Sequence, residues 1–251
     1  MSASQNITIG VVGCGKIGSA LKRWIENHNP ACSVRVSDPP KGINDDFSSV
    51  DCVFISIHIP TEPNGSQNLT ALSEIIQNLP DVPIFIRTTV LPGTCDAFSE
   101  KFGKDVRFMP EYLTERTAYE DFCRQSMIFT GHTELLQRVF PGKSFIEMTS
   151  REAELAKYAH NVFGAVKVTY FNAINELCQR LGCDYQNVRQ GVLQSGYVKP
   201  MHADVPGPDG RFGFGGKCFP KDIEAFRAFV SNPEFARLLS SVIILNTEFR
   251  K

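Results

Sequence analysis

The sequence predicts an α/β protein, with a doubly wound parallel sheet in its first half and a mainly helical part around one long central helix in its second. Three observations predict it. Short apolar runs alternate with amphipathic segments over the first half, the order that builds a parallel sheet covered by helices. A glycine-rich turn, GCGKIG, joins the first apolar run to the first helical segment. Near Thr149 the strand pattern gives way to sustained helical periodicity, which divides the chain into domains at 1–148 and 149–251.

The elements follow in order. Strands are predicted in ITIGVVG, VRVS, DCVFISIHI, PIFIRTT, VRFM, SMIFTG and SFIEM, with helices near Ile17 to Asn27, Leu69 to Leu79, Thr94 to Phe102 and Glu134 to Val139. TSRE forms a capping box, with Thr149 as N-cap and Glu152 three residues on, and the helix it opens runs to the stop at Gly182. Asp184 caps a further helix, DYQNVRQGVLQ. VKPMHADVPGPDGRFGFGGK is too rich in glycine and proline for regular structure and is expected to be a long, functional loop. Helical character resumes after Pro220 in KDIEAFRAFV and again in EFARLLSSVIILNTEF.

Composition narrows the function classes. The 251 residues suffice for two small domains, and 42% hydrophobic with 21% charged residues is ordinary for a globular protein. A net charge of -1 leaves no electrostatic footprint for nucleic acid or an anionic membrane, so a small-molecule partner is expected. The polar start MSASQN has no leader pattern, and no apolar run reaches the roughly 18 residues of a membrane span. The eight cysteines include no CxxC pair and the histidines do not cluster, so neither a metal site nor a disulfide framework is predicted. A soluble protein of a reducing cytoplasm fits these features. VFGAVKVTYFNAI on the long helix is apolar almost all round, which predicts a homodimer through that helix.

A cofactor site is expected at the first turn. Gly13, Gly15 and Gly18, with Lys16 and Ile17 between them, follow a strand and open a helix; in that setting glycines allow a tight turn, close approach of a pyrophosphate and close helix–strand packing. The same pattern elsewhere is a mere turn-rich loop. Asp38, twenty positions after Gly18 at the end of the next strand, can accept hydrogen bonds from a ribose diol and repel a 2′-phosphate. Together these predict a Rossmann-type domain that binds NAD in preference to NADP. Pro60 and Thr61, Thr89, and Glu111 fall after later strands, on the edge where such sheets bind ligands, although each alone is a common turn or cap residue.

The chemistry is expected at GFGGKCFPKD. Cys218 follows paired glycines and precedes Lys221 and Asp222, a setting for a thiolate nucleophile beside a cation or for a glycine turn with an incidental thiol. Lys157 and Asn161 are i, i+4 on the long helix, with Glu154 one turn earlier, and suit stabilisation of an alkoxide or simply form a solvated face. Glu111 and Glu115 can position water and take protons, or serve as surface charges. His160 is expected to be structural or exposed.

Taken together, GCGKIG with Asp38, IPTEPNGSQNLTALSEI, RTTVLPGT, PEYLTERTAYED, ELAKYAHN, FNAINE, GFGGKCFPKD and ILNTEFR resemble the UDP-glucose/GDP-mannose dehydrogenase family, in order along essentially the whole chain. The resemblance implies twofold NAD-dependent oxidation of a sugar hydroxymethyl group to a carboxylate, through a thiohemiacetal and a thioester on Cys218. It implies that Lys157 and Asn161 stabilise the oxyanion, that Asp222, Glu115 and Thr89 handle protons and water, that Glu111 shapes the substrate pocket, and that Lys221 contacts the cofactor. Lys16-Ile17 replace the family's usual tyrosine-valine, and Arg116 replaces a glycine. Family members continue beyond the position of Asn246 into a second Rossmann-like domain that grips the substrate nucleotide. The chain is accordingly expected to be a short form, with MHADVPGPDGRFG as the candidate substitute. Two other readings stay open: a two-electron hydroxyacid-type dehydrogenase, which also carries a Lys-x-x-x-Asn pair, and a catalytically silent NAD-binding subunit.

Overall fold

The computed structural model describes residues 6–62 and 64–251, so the first five residues, MSASQ, and Pro63 of the IPTEPNGSQN motif lie outside the described residues. The chain forms two compact units, one of residues 1–60 and 67–157, the other of 61–66 and 158–251.

In the first unit, β1 (Ile7–Val12), β2 (Cys32–Asp38), β4 (Cys52–Ile55), β5 (Ile84–Ile86) and β6 (Val106–Phe108) are parallel, and a short β3 (Ile43–Asn44) pairs antiparallel with β2, giving the order β3-β2-β1-β4-β5-β6. Both faces of the sheet are covered, which is why its central strands read as unbroken apolar runs. Phe54 and Phe85 point to one side with their rings stacked at 5.2 Å, against Leu21, Trp24 and Ile25 of α1 (Lys16–His28). Val53, Ile55, Ile84 and Ile86 point to the other, against α2 (Thr70–Asn78) and α3 (Thr94–Phe102). The period of two sorts adjacent residues into two cores.

Besides the short β3, which was not expected, two larger features differ from the sequence expectation. SMIFTG and SFIEM do form β7 (Met127–Phe129) and β8 (Phe145–Glu147), but they pair with each other in a separate two-stranded sheet, with α5 (Thr133–Val139) between them. The outer edge of β6 is closed by side chains instead: Phe108 N donates to Ser150 Oγ at 3.1 Å, and its carbonyl accepts from Thr130 Oγ1 at 2.8 Å. The second difference is an unexpected helix, α4 (Ala118–Arg124), in the polar stretch after Glu115. Only Ala118 and Phe122 are buried on it, and Asp121 ties its start by accepting from Thr114 N and Thr117 Oγ1.

The long helix is α6 (Ser150–Leu181), and Thr149 and Glu152 exchange the expected capping-box bonds at 2.7 and 3.2 Å. In the second unit, Asp184 caps α7 (Tyr185–Gln194), and a loop leads to α8 (Phe219–Phe229) and α9 (Pro233–Phe249), the latter capped by Asn232. No helix among the described residues is long and apolar enough to cross a membrane, and no group of metal-ligating residues occurs among them.

Candidate functional site

The predicted site residues fall into two sets. In the first unit the chain reverses outside the carboxyl ends of β1 and β4, the point where strand order switches and open parallel sheets bind ligands. The glycines there have separate jobs. Gly13 has φ +81°, and a Cβ on it would lie 2.6 Å from the Ser56 carbonyl; one on Gly18 would lie 2.0 Å from the Gly13 carbonyl. These two permit the turn and the packing of α1. A Cβ on Gly15 would meet nothing within 4 Å, and Gly15 caps α1 without any side-chain bond, leaving its backbone donors and the helix dipole to an anion. Lys16 is exposed and Ile17 half-buried beside it.

Asp38 ends β2, is 9% exposed, accepts from Cys14 N at 2.9 Å and pairs with Lys41 at 3.3 Å. Gly13, Gly15, Asp38, Lys41, Ser56 and Ile57 border a cleft of about 760 Å³. Pro60 is exposed and does not line this cleft, and Thr61 belongs to the second unit. β4 ends at Ile55, earlier than the apolar run DCVFISIHI suggests.

Thr89 is buried, and Gln67 clamps its segment by donating to the Thr89 carbonyl at 2.9 Å and accepting from Leu91 N at 3.0 Å. Sequence reading passed over Gln67, because its role exists only once α2 and β5 are adjacent. Glu111 accepts from Leu113 N at 2.6 Å and faces Lys157 Nζ at 3.3 Å, while Lys157 also donates to the Glu111 carbonyl and lies over the Tyr112 ring. Both partners of this ion pair are largely buried. Burial, and then the nearby Glu111 charge, push the Tyr112 phenol up. Glu115 is exposed. Glu154, expected to share the face of Lys157, is instead fully buried and accepts from Gly93 N and Cys95 N at 2.6 and 2.9 Å, anchoring the start of α3.

The second set lies in the second unit. Asn161 Nδ2 donates to Asp222 Oδ2 at 2.6 Å, Lys221 pairs with Asp222 Oδ1, and Asn161 and Asp222 are 4% and 0% exposed. The paired ammonium and amide compensate a carboxylate that could not otherwise be buried. His160 Nδ1 lies 2.9 Å from Asn161 Oδ1 on the exposed side. Cys218 is exposed at the N-cap of α8, one turn before Asp222, whose N–H donates to the Cys218 carbonyl. Next to it, Phe219 fills a notch at Gly164 of α6, where a Cβ would come within 2.5 Å of its ring.

The loop before Cys218 is held by residues far away in sequence. Gly213 N donates to Asn172 Oδ1 at 2.9 Å, Phe214 N to Asn246 Oδ1 at 2.6 Å, and the Phe214 carbonyl accepts from Asn246 Nδ2 and Arg250 Nε. Asn172 and Asn246 sit in FNAINE and ILNTEFR, motifs whose purpose is invisible without this loop. Elsewhere, burial pushes the Cys32 thiol up to about 11 and those of Cys52 and Cys95 well above the ordinary range, which keeps these three protonated.

Comparison with known proteins bears on this arrangement. Residues 151–248 match the UDP-glucose/GDP-mannose dehydrogenase family, central domain. The chain is 32% identical over 224 residues to the UDP-glucose 6-dehydrogenase of Rickettsia typhi, covering 81% of this chain and 50% of that protein, so it spans half that relative's length. Among solved structures, a UDP-glucose dehydrogenase from Pyrobaculum islandicum superposes with a TM-score of 0.79 at 23% identity, covering 99% of this chain and 70% of that one. A Mycobacterium tuberculosis 3-hydroxyisobutyrate dehydrogenase superposes at 0.70 with 16% identity, covering 97% and 93%. The two superpositions show a shared fold alone.

Proposed function

Because the chain belongs to the UDP-glucose/GDP-mannose dehydrogenase family, we propose that it binds NAD in the cleft beside Asp38 and oxidises the primary alcohol of a sugar, in the nucleotide-sugar class of UDP-glucose, to a carboxylate. The observation that carries this reading is the buried Asn161–Asp222–Lys221 cluster one helical turn from the exposed Cys218. A fully buried, compensated carboxylate beside an exposed thiol is costly as mere structure and useful as a site.

The residues present fit the cofactor. The uncapped start of α1 and the open backbone at Gly15 suit a pyrophosphate, and Asp38 suits an unphosphorylated ribose. When bound, NAD supplies the hydride acceptor for both oxidations. In this reading the Cys218 thiolate adds through Sγ to the aldehyde carbon, and the new oxyanion is stabilised by the Lys157 ammonium and the Asn161 amide. Oxidation of the thiohemiacetal leaves a thioester. Water, held by Thr89, Glu115 and Asp222, adds to it; the C–S bond breaks, the thiolate is released, and the proton lost by water passes to one of these carboxylates. Phe163, Tyr170 and Leu177, exposed at seven-residue spacing on α6, support a homodimer through that helix.

The test is stoichiometry with NAD and a panel of UDP- and GDP-sugars, sugar phosphates and free sugars. Two NADH formed per carboxylate are expected, with Cys218→Ser folding and binding NAD as the parent does but failing to release the acid. One NADH per turnover and indifference to Cys218→Ser would instead favour the two-electron hydroxyacid-type dehydrogenase. NAD binding without turnover on any substrate would favour the silent subunit.

A further inference from the structure

Arg87 is a buried charge for which the reaction above has no use. It follows β5 directly and is 2% exposed, and its Nε and Nη1 have no hydrogen-bond partner among the described residues. Its guanidinium carbon lies 5.5 Å from the centre of the Phe122 ring. Burial pulls its pKa down to about 10, against the opposing effect of the Glu111 carboxylate. Buried polar atoms of native proteins rarely lack partners, so two orphaned donors on one guanidinium call for a specific occupant.

Arg87 stands in the wall of a cavity of about 20 Å³ together with Glu111, Tyr112, Phe122 and Gln125. That volume accommodates one water. A water there accepts from Arg87 and has two hydrogens to give. The Glu111 carboxylate can take them, since an ionised carboxylate offers roughly four acceptor sites, and the described contacts occupy one on Oε2, from Leu113 N, and one on Oε1, from Lys157. A small anion is the poorer occupant because Glu111 faces the same space.

We propose that Arg87 is a positioning residue that holds the Glu111 carboxylate through one bound water, and that Glu111 in turn holds the Lys157 ammonium. The charged and titratable groups around Glu111 are then Arg87 from the end of β5, Tyr112 from its own segment and Lys157 from α6. The proposal rests on the reading above only for the use made of Lys157. The bridge itself needs no turnover.

A crystal structure that resolves ordered waters should show one within hydrogen-bond reach of both Arg87 and the Glu111 carboxylate. In protein labelled with ¹³C at glutamate carboxyls, the Glu111 resonance, assigned by its loss in Glu111→Gln, should move in Arg87→Met and return toward its original position in Arg87→Lys. A dry cavity, a halide in place of water, or an unmoved Glu111 resonance in folded Arg87→Met overturns the proposal. If Arg87→Met does not fold, the water and the Arg87→Lys spectrum decide. Absence of turnover with the water bridge present would sink the proposed reaction and leave this inference standing; an active enzyme with a dry cavity would do the reverse.

Discussion

The glycine turn that opens the cofactor cleft and the glycine loop that leads to Cys218 are built from similar residues and held by different means. The first is a backbone device. Its glycines are shaped by main chain against main chain, Gly18 against the Gly13 carbonyl and Gly13 against that of Ser56, and Asp38 adds a single side-chain bond to Cys14 N. The second is a side-chain device: Asn172 of α6 and Asn246 and Arg250 at the end of α9 hold the peptide groups of Gly213 and Phe214. A local backbone motif carries its geometry wherever it occurs in a sequence. A loop clamped from two helices acquires its geometry only when those helices have docked.

Three substitutions break or sharpen that contrast, in decreasing order of expected effect. Gly18→Ala forces a methyl to 2.0 Å from a carbonyl oxygen that no rotamer change can move, so it should cost about 3 kcal/mol or more and abolish NAD binding. Denaturant unfolding and cofactor titration check both; a well-folded variant that binds NAD normally would mean the turn is far softer than its contacts imply. Asn246→Ala removes both bonds to the Phe214 peptide, leaves its N–H without a partner, and should cost about 1–3 kcal/mol. It should leave NAD affinity unchanged, since the glycine turn is independent of it, while altering the alkylation rate of Cys218 relative to the exposed Cys123 and Cys183, as read by mass spectrometry. Loss of NAD affinity in that variant would erase the distinction between the two devices.

The smallest effect belongs to the cap of α6. Thr149→Ala should lower the melting temperature by about 2–4 °C at neutral pH. Bonds from Thr149 hold the Glu152 carboxyl below its ordinary pKa. A carboxyl whose folded pKa is depressed contributes stability above its unfolded value, 4.5, and loses that contribution as pH falls through the folded value. The gap between parent and variant should therefore shrink as the pH is lowered below 4.5. A gap independent of pH would mean that the hydroxyl alone forms the cap.

Much of the architecture was legible because its causes are local. The capping box at Thr149, the Asp184 cap, the long helix and the apolar runs of the sheet each depend on residues within a few positions of one another. The exceptions are equally specific. α4 carries two buried residues in a polar stretch, too weak a periodicity to notice, and forms because Ala118 and Phe122 find the core beside α1. β7 and β8 were recognisable as strands, but their exclusion from the main sheet depends on Ser150 and Thr130 occupying the edge of β6. Glu154 reads as one member of a polar helix face and serves as the anchor of α3.

By itself the sequence determined the order of elements, the glycine turn with its carboxylate at Asp38, and the residue types Cys218, Lys157, Asn161 and Asp222. These follow from periodicity and spacing along one chain. Only the tertiary structure decided which partners the buried charges have: Asp222 with Asn161 and Lys221, Lys157 with Glu111, and Arg87 beside a cavity that Glu111 also lines. The physical reason is that a buried charge must be compensated within a few ångströms, and the groups that do so here are drawn from positions as far apart as Asn161 and Asp222, brought together by packing rather than by sequence.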